Sequence, residues 1–177
     1  VMECLAADSE GDGILFSTLL EGKLLFASAM DTWFVWQGNI WRKDSINLVK
    51  GLVRYVTNRY GQEILALEQK KEESKKTSDP EDHQLYVKSW DRKISLLQGK
   101  IKALRQEKGR NACVHFSYTH FENPFSIEGN EFDKDPWLLG VQNGVVDLRS
   151  GELFPGEPRQ MVSKQCSCNY KVFSPGT

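Results

Sequence analysis

The fold is decided by residues 137–155, which have the sequence WLLGVQNGVVDLRSGELFP. The apolar run Leu138–Val141 ends at Asn143-Gly144, a pair that strongly favours a tight hairpin turn. Apolar residues resume over Val145–Leu148, and a second turn signal follows at Ser150-Gly151. Glycine at each turn can adopt positive φ without a Cβ clash. The stretch therefore predicts a β-meander of three short strands, and we expect its role to be structural instead of ligand binding.

An aromatic stretch lies nearer the N-terminus, where residues 33–41 read WFVWQGNIW. It predicts a β-hairpin that turns at Gly38. Its tryptophans fit either base stacking or cross-strand pairs that cover a small core, and we favour the core. Before this hairpin, residues 1–12 predict a flexible start. Ile14–Leu20 then predicts a short helix, and Lys23–Ala29 predicts a strand.

Two long helices are predicted in the middle of the chain. The first is capped at Asp44-Ser45 and carries apolar residues at spacings of three and four as far as Leu67. A polar loop around Pro80 separates it from a second helix, His83–Lys108. The apolar seam of this second helix consists of Trp90, Ile94, Leu97, Ile101 and Leu104. Long helices joined by a short loop are expected to pack as an antiparallel hairpin.

These elements predict an α+β fold. It comprises an N-terminal Trp-rich β-hairpin, an antiparallel long-helix hairpin and a C-terminal β-meander, within a single domain over residues 13–172. Ala112–Phe121 is apolar enough for a short buried helix or for a strand. Cys168–Phe173 is predicted to be a final strand, and residues 173–177 a linker toward a further domain.

Composition limits the classes of function. The 177 residues include 23 basic and 24 acidic side chains, a net charge of −1, so the composition does not indicate a globally basic nucleic-acid binder, although it allows a local basic patch. No apolar run approaches the roughly 18 residues that span a bilayer. Residues 1–30 show no signal peptide. The sequence therefore predicts a cytoplasmic protein that does not contact a membrane.

The sequence predicts no metal site and no catalytic residue. The four cysteines do not have zinc-site spacing, and we expect ordinary thiols at Cys4, Cys113, Cys166 and Cys168. Asp133 and Asp135 are paired carboxylates beside Pro136, where capping of an Asx turn explains them better than acid–base chemistry. No nucleotide-binding loop Gly-x-x-x-x-Gly-Lys-Ser/Thr is present, so no cofactor is expected in this chain.

The strongest local basic patch lies near the end of the second predicted helix. We single out Trp36 as a stacking candidate and these cations as candidate nucleic-acid contacts: Lys100, Lys102, Arg105, Lys108 and Arg110. The alternative is a solvated helix end, where cations also suit the helix dipole.

Residues 132–153, FDKDPWLLGVQNGVVDLRSGEL, resemble the signature of a known linker domain. This domain precedes the superfamily-3 helicase in phage and plasmid primases and in poxvirus primase-helicases. Its pattern is approximately Phe-Asp-x-x-Pro-x-Leu-Leu-x-x-x-Asn-Gly-x-x-Asp-Leu-x-Thr-Gly-x-Leu, with Ser150 here in place of Thr. The motif positions, which we interpret as structural, are Phe132, Asp133, Pro136, Asn143, Gly144, Asp147, Leu148 and Gly151.

The resemblance implies a non-catalytic accessory domain in DNA replication. The parent would be a phage, prophage, plasmid or poxvirus-type hydrolase whose helicase domain uses ATP and Mg²⁺. Implied partners are the helicase and primase domains of the same polypeptide, DNA, and further copies in a ring. The implied location is a bacterial cell or a virus-infected host cell.

Two other functions remain open. A stand-alone single-stranded nucleic-acid-binding protein would stack bases on Trp33, Trp36 or Trp41 and track the strand along Lys100–Arg110. A helical-hairpin interaction module would instead continue its apolar seam into a partner chain.

Overall fold

A computed structural model describes residues 8–77, 79–120 and 124–171. The chain divides into two compact units, each built from two separate segments. The helical unit comprises Val1–Leu19 and Lys50–Asn123, and the strand-rich unit comprises Leu20–Val49 and Pro124–Thr177. The predicted boundaries at residues 1–12, 13–172 and 173–177 stay predictions, and the last of these segments lies outside the described residues.

The helices are α1 (Asp8–Leu19), α2 (Leu48–Leu52), α3 (Arg54–Thr77), α4 (Pro80–Leu104) and α5 (Glu107–Thr119). α3 and α4 form the predicted antiparallel hairpin, and α1 packs against α5. The antiparallel direction is seen in two cross-helix contacts. Lys71 Nζ lies 2.5 Å from Asp91 Oδ1, and Ser74 Oγ lies 2.9 Å from His83 Nδ1. No helix in the described part of the chain is both long and apolar enough to cross a membrane.

The first long helix begins later than predicted and is interrupted. Asp44 does act as its cap, because its carboxylate accepts the N–H groups of Leu48 and Val49, both at 2.9 Å. The helical conformation begins only at Leu48, since Asn47 is left-handed at φ +57°. A break at Val53 then separates α2 from α3. The N-terminal helix, in contrast, begins earlier than predicted: α1 begins at Asp8 and not at Ile14.

The predicted second helix, His83–Lys108, is wrong at its end. α4 stops at Leu104, and Gln106 is extended with φ −89° and ψ 152°, so the chain turns before α5. Gly109 permits this tight fold, because a Cβ there would collide with the carbonyl of Ala103. The ambiguous region after residue 111 is helical as far as Thr119. Lys108 therefore lies at a helix start, where the dipole disfavours a cation.

A buried polar cluster connects the helices of this unit. The carboxylate of Asp12 on α1 accepts a 2.5 Å hydrogen bond from the Tyr60 hydroxyl on α3 and a 3.0 Å bond from Lys100 Nζ on α4. Its backbone carbonyl is contacted by the thiol of Cys113 on α5 at 3.4 Å, and desolvation raises the pKa of that thiol. One acidic residue thus links α1 to three other helices. The surrounding apolar core includes Phe16, Val56, Leu97 and Leu104.

Asp12→Ala is expected to destabilise the protein by about 3 kcal/mol, because it leaves the Lys100 ammonium, which is only 15% exposed, without its counter-charge and removes the carboxylate that Tyr60 contacts. The measurement is urea unfolding followed by circular dichroism. Asp91→Ala is the matched control, since it breaks only the exposed Lys71 pair and is expected to cost less than about 1 kcal/mol. Equal losses in the two variants would contradict the structural role of Asp12.

The strand-rich unit holds two sheets. A four-stranded sheet has the order β3-β2-β1-β4, and a three-stranded sheet has the order β5-β6-β7. The strands are β1 (Leu24–Ala27), β2 (Thr32–Trp36), β3 (Trp41–Lys43), β4 (Ser126–Ile127), β5 (Leu138–Val141), β6 (Gly144–Asp147) and β7 (Glu152–Phe154). The Trp-rich hairpin and the meander are both confirmed, and with them the α+β class.

Two details of this unit differ from the prediction. The first meander turn consists of Gln142-Asn143, and Gly144 already pairs in β6 with Val141. Glycine is needed there because a Cβ would lie 2.5 Å from the carbonyl oxygen of Phe154. The predicted strand over Cys168–Phe173 is wrong as far as Lys171, because this segment forms no ladder and is held by other contacts. Residues 172 and 173 lie outside the described part.

The aromatic hairpin covers a core, as the sequence favours. Trp41 is buried, and its indole N–H donates a 2.8 Å hydrogen bond to the carbonyl of Pro158. Trp36 packs edge-on against it with ring centroids 5.3 Å apart. Trp33 contacts Phe26 and Phe125 at 5.2 and 5.6 Å. The tryptophans are therefore committed to packing, with Trp33 and Trp36 only partly covered.

Candidate functional site

The motif residue Asp133 ties two distant segments together. Its carboxylate accepts the Ser163 N–H at 2.7 Å, the Ser163 hydroxyl at 2.6 Å and the Lys164 N–H at 3.2 Å. Its own backbone is left-handed at φ +55°. The expected Asx turn occurs instead at Asp135, whose carboxylate accepts the Trp137 N–H at 3.0 Å. Asp133 thus fixes a chain segment thirty residues away.

Asn143 and Gly151 hold the end of the same segment. The Asn143 side chain donates to the carbonyl of Tyr170 at 3.0 Å and accepts its N–H at 2.9 Å. The Tyr170 hydroxyl donates a 2.8 Å hydrogen bond to the carbonyl of Gly151, which is left-handed at φ +72°. Residues 163–170, which we call the tethered segment, are therefore fastened at one end to Asp133, just before the meander, and at the other to Asn143 in its first turn.

Close backbone packing fastens the middle of the tethered segment. The Cys166 N–H donates to the carbonyl of Gly140 at 2.8 Å, and the Gly140 position pairs with Gln165 in a parallel bridge. A Cβ at Gly140 would collide with the carbonyl of Lys164, so only glycine fits. Glycine inside the motif thereby allows the tethered segment to lie directly on β5.

The remaining motif residues have separate roles. Phe132 packs on Phe34 with ring centroids 4.4 Å apart. Asp147 accepts hydrogen bonds from the Arg149 side chain at 3.0 and 3.1 Å, and this neighbour lowers the pKa of its carboxyl group. Pro136 and Leu148 are exposed. Within the described residues, the motif thus provides turns, tethers and packing contacts.

The predicted nucleic-acid residues separate into four groups in the structure. Lys100 lies in an internal ion pair with Asp12, and its side chain is only 15% exposed, so it is committed within the protein. Lys102 and Lys108 are exposed on the surface. Arg105 and Arg110 line a cleft, whereas Trp36 belongs to the other unit.

This cleft, which we call the basic cleft, has a volume of about 300 Å³. Its cations are Lys50 and Arg54 from α2 and α3, together with Arg105 and Arg110 from the α4–α5 turn and α5. An Arg110 Nη2 donates a 3.1 Å hydrogen bond to the carbonyl of Arg105, which orients the guanidinium. Of the described residues that line the cleft, none is acidic. The arrangement is suited to an anionic ligand.

Sequence reasoning missed half of the basic cleft. Lys50 and Arg54 were not singled out, because they lie fifty residues or more before Arg105 and only the fold brings them there. A signal was present, since positions 50 and 54 are four apart and share one face of a helical stretch.

The described part of the chain contains no group of three or more His, Cys, Asp or Glu side chains placed to hold a metal ion. Cys113 is a buried free thiol, and Cys166 and Cys168 are exposed free thiols.

Comparison with known proteins identifies the chain. The family model described as "D5 N terminal like" matches residues 14–175, which is nearly the whole sequence. The chain belongs to this family. D5 N terminal like domains are found at the N-terminus of phage and poxvirus primase-helicase proteins, which confirms the resemblance seen in the sequence. The domain is thus replication-associated and accessory in character.

A curated viral protein also matches. Over 96 residues, the chain is 25% identical to the protein named "Putative helicase 022R" of Frog virus 3 (isolate Goorha). The match covers 49% of this chain and 10% of that protein. The D5 N terminal like domain described here therefore corresponds to a small part of the viral protein's length.

Asp133→Ala is expected to lower the free energy of unfolding of this domain by about 2 kcal/mol, because three donors of the tethered segment lose a charged acceptor. The measurement is urea unfolding followed by tryptophan fluorescence. Asp135→Ala is the matched control, since it removes one local hydrogen bond and is expected to cost about 0.5 kcal/mol. A loss at Asp133 no larger than at Asp135 would contradict the tethering role.

Proposed function

We propose that this chain is a non-catalytic accessory domain of a primase-helicase and that it engages DNA through the basic cleft. The family places the domain in replication proteins, and the cleft is the observation that carries the finer proposal. Its four cations, Lys50, Arg54, Arg105 and Arg110, converge in a protein whose net charge is −1. Such a local concentration of positive charge attracts phosphate groups although the whole chain does not.

The shape of the basic cleft supports contact with a nucleic-acid backbone. Its cations come from three helices and the α4–α5 turn, so they surround a volume instead of forming one helical stripe. The buried side chains of Val53 and Leu104 form an apolar floor, which lowers the local dielectric around the cations. Guanidinium groups at Arg54, Arg105 and Arg110 can each present two parallel N–H donors to a phosphate.

In this proposal the parent protein supplies the chemistry. Its superfamily-3 helicase domain would hydrolyse ATP with Mg²⁺, a primase domain would belong to the same polypeptide, and copies would assemble into a ring. The sequence of this chain has no nucleotide-binding loop, so its own residues would contribute binding and positioning.

DNA engagement is expected to show a strong salt dependence. If all four cations of the basic cleft contact phosphates, the logarithm of the association constant should fall against the logarithm of salt concentration with a slope of about −2.8. The double variant Arg54→Gln/Arg105→Gln should reduce this slope by about 1.4 and weaken binding by about tenfold or more. The measurement is fluorescence anisotropy with a labelled oligothymidine across a salt series.

The control variant is Lys70→Gln/Lys76→Gln, which removes the same charge from exposed positions farther along α3. Lys70 is sixteen residues from Arg54, roughly 24 Å along the helix. The Lys70→Gln/Lys76→Gln variant should therefore leave the salt-dependence slope nearly unchanged. Absence of binding by the unmodified chain at low salt, or equal losses in both double variants, would refute DNA engagement by the basic cleft.

The helical hairpin supports a second candidate function, protein interaction. Its predicted seam is used inside the chain, because Ile94, Leu97 and Leu104 are buried. Leu85 and Leu96 instead expose 68% and 62% of their surface on α4. The two leucines are eleven residues apart, about three helical turns, so they share one face of α4 that a partner helix could cover. Leu85→Ser/Leu96→Ser should abolish self-association in sedimentation velocity, and a monomer at all concentrations of the unmodified chain would count against this function in ring assembly.

A further inference from the structure

A polar groove lies in the strand-rich unit between the edge strand β3 and the tethered segment. Its volume is about 460 Å³, within the range of small-molecule sites. The side chains that give it its character are Arg42, Lys43, Gln142, Ser163, Gln165 and Ser167. We call it the polar groove. It belongs to a different unit from the basic cleft.

The polar groove is built by the motif contacts. One wall is the tethered segment, which Asp133 fixes at Ser163 and Lys164. The opposite wall is β3, where the backbone N–H of Trp41 donates a 2.8 Å hydrogen bond to the carbonyl of Val162. Both walls are therefore held by hydrogen bonds, and the groove is a fixed feature of the fold.

Its cation is held in position before any ligand arrives. The Arg42 guanidinium donates to the side-chain oxygen of Gln165. The Gln165 amide in turn donates to the carbonyl of Val141 at 2.9 Å. These two successive hydrogen bonds fix Arg42 on the wall of the groove. The other N–H donors of the guanidinium stay available for a ligand. A preorganised donor loses less entropy on binding than a mobile one.

The charge of the polar groove is positive. Arg42 and Lys43 contribute two cations, and none of the described residues that line the groove is acidic. The neighbouring carboxylate of Asp133 is occupied by three donors from Ser163 and Lys164. The hydroxyl of Ser167 and the amide of Gln142 add neutral hydrogen-bonding groups at the rim. This combination matches a phosphate group attached to a polar sugar.

We propose that the polar groove binds the phosphate group of a nucleotide, with Arg42 contacting the phosphate oxygens and Lys43 adding positive charge at the rim. The neutral groups at Gln142 and Ser167 would contact the attached sugar. The phosphate can come from a free nucleotide or from a nucleic-acid strand, and the chemistry at the groove is the same in both cases. The site does not depend on DNA engagement by the basic cleft.

The test is a titration of the isotope-labelled 177-residue chain, followed by amide chemical shifts in NMR spectra. The probes are inorganic phosphate, thymidine monophosphate and oligothymidine. We expect shifts at the amides of Lys43, Gln142 and Ser167 with thymidine monophosphate at lower concentrations than with inorganic phosphate. Shifts there with oligothymidine but not with the mononucleotide would assign the phosphate to a strand and retain the site.

The variant Lys43→Gln/Gln142→Glu should weaken binding by about tenfold or more, because it removes one cation and adds a carboxylate that repels phosphate. Neither residue is used in an internal side-chain contact within the described structure, so the fold should be preserved. Lys164→Glu is the matched control, since it changes the net charge by the same two units at an exposed cation of the tethered segment outside the groove lining, and it should bind nearly as the unmodified chain does.

The proposal is overturned if none of the probes shifts the groove amides. It is also overturned if Lys43→Gln/Gln142→Glu binds as tightly as Lys164→Glu. The Arg54→Gln/Arg105→Gln variant separates the two sites, because it should lose strand binding at the basic cleft and retain the groove shifts with thymidine monophosphate.

Discussion

The strand-rich unit depends on the hydrogen bonds that the Asp133 carboxylate accepts from Ser163 and Lys164. A charged acceptor that satisfies three donors compensates for the loss of their hydration when the segment packs on the meander. Asn143 adds a reciprocal bond to Tyr170, so an irregular segment is held nearly as firmly as a strand. The wall of the polar groove is a direct consequence of these contacts.

The helices of the helical unit are linked instead by the buried carboxylate of Asp12, which accepts hydrogen bonds from Tyr60 and Lys100. This contact has a functional consequence, because it removes Lys100 from the surface and leaves other cations to face solvent. A lysine in a basic stretch is therefore not necessarily available to a ligand. The basic cleft forms instead where α4 ends and the chain turns back, bringing Arg105 and Arg110 close to Lys50 and Arg54.

The family motif both identifies the domain and stabilises its fold. It identifies the domain, because its turns and tethers occur at fixed spacing in residues 132–153. Its residues also have structural roles: Phe132 packs on Phe34, Gly144 permits a close backbone approach to Phe154, and Gly151 adopts a left-handed turn. The cations of the proposed nucleotide site lie outside the motif, on β3, where a search for motif residues alone does not find them.

The sequence by itself determined the α+β class, both hairpins, the helical hairpin and the family, since turn chemistry and apolar periodicity are local properties. It could not locate the helix break at Gln106, because Gly109 is required there only by its contact with Ala103. Nor could it assign partners to Asp133 and Lys100, which appeared to be a turn cap and a surface cation. Only the tertiary structure decided those pairings and assembled the basic cleft and the polar groove, because each joins residues that are far apart in the chain and meet only when it folds.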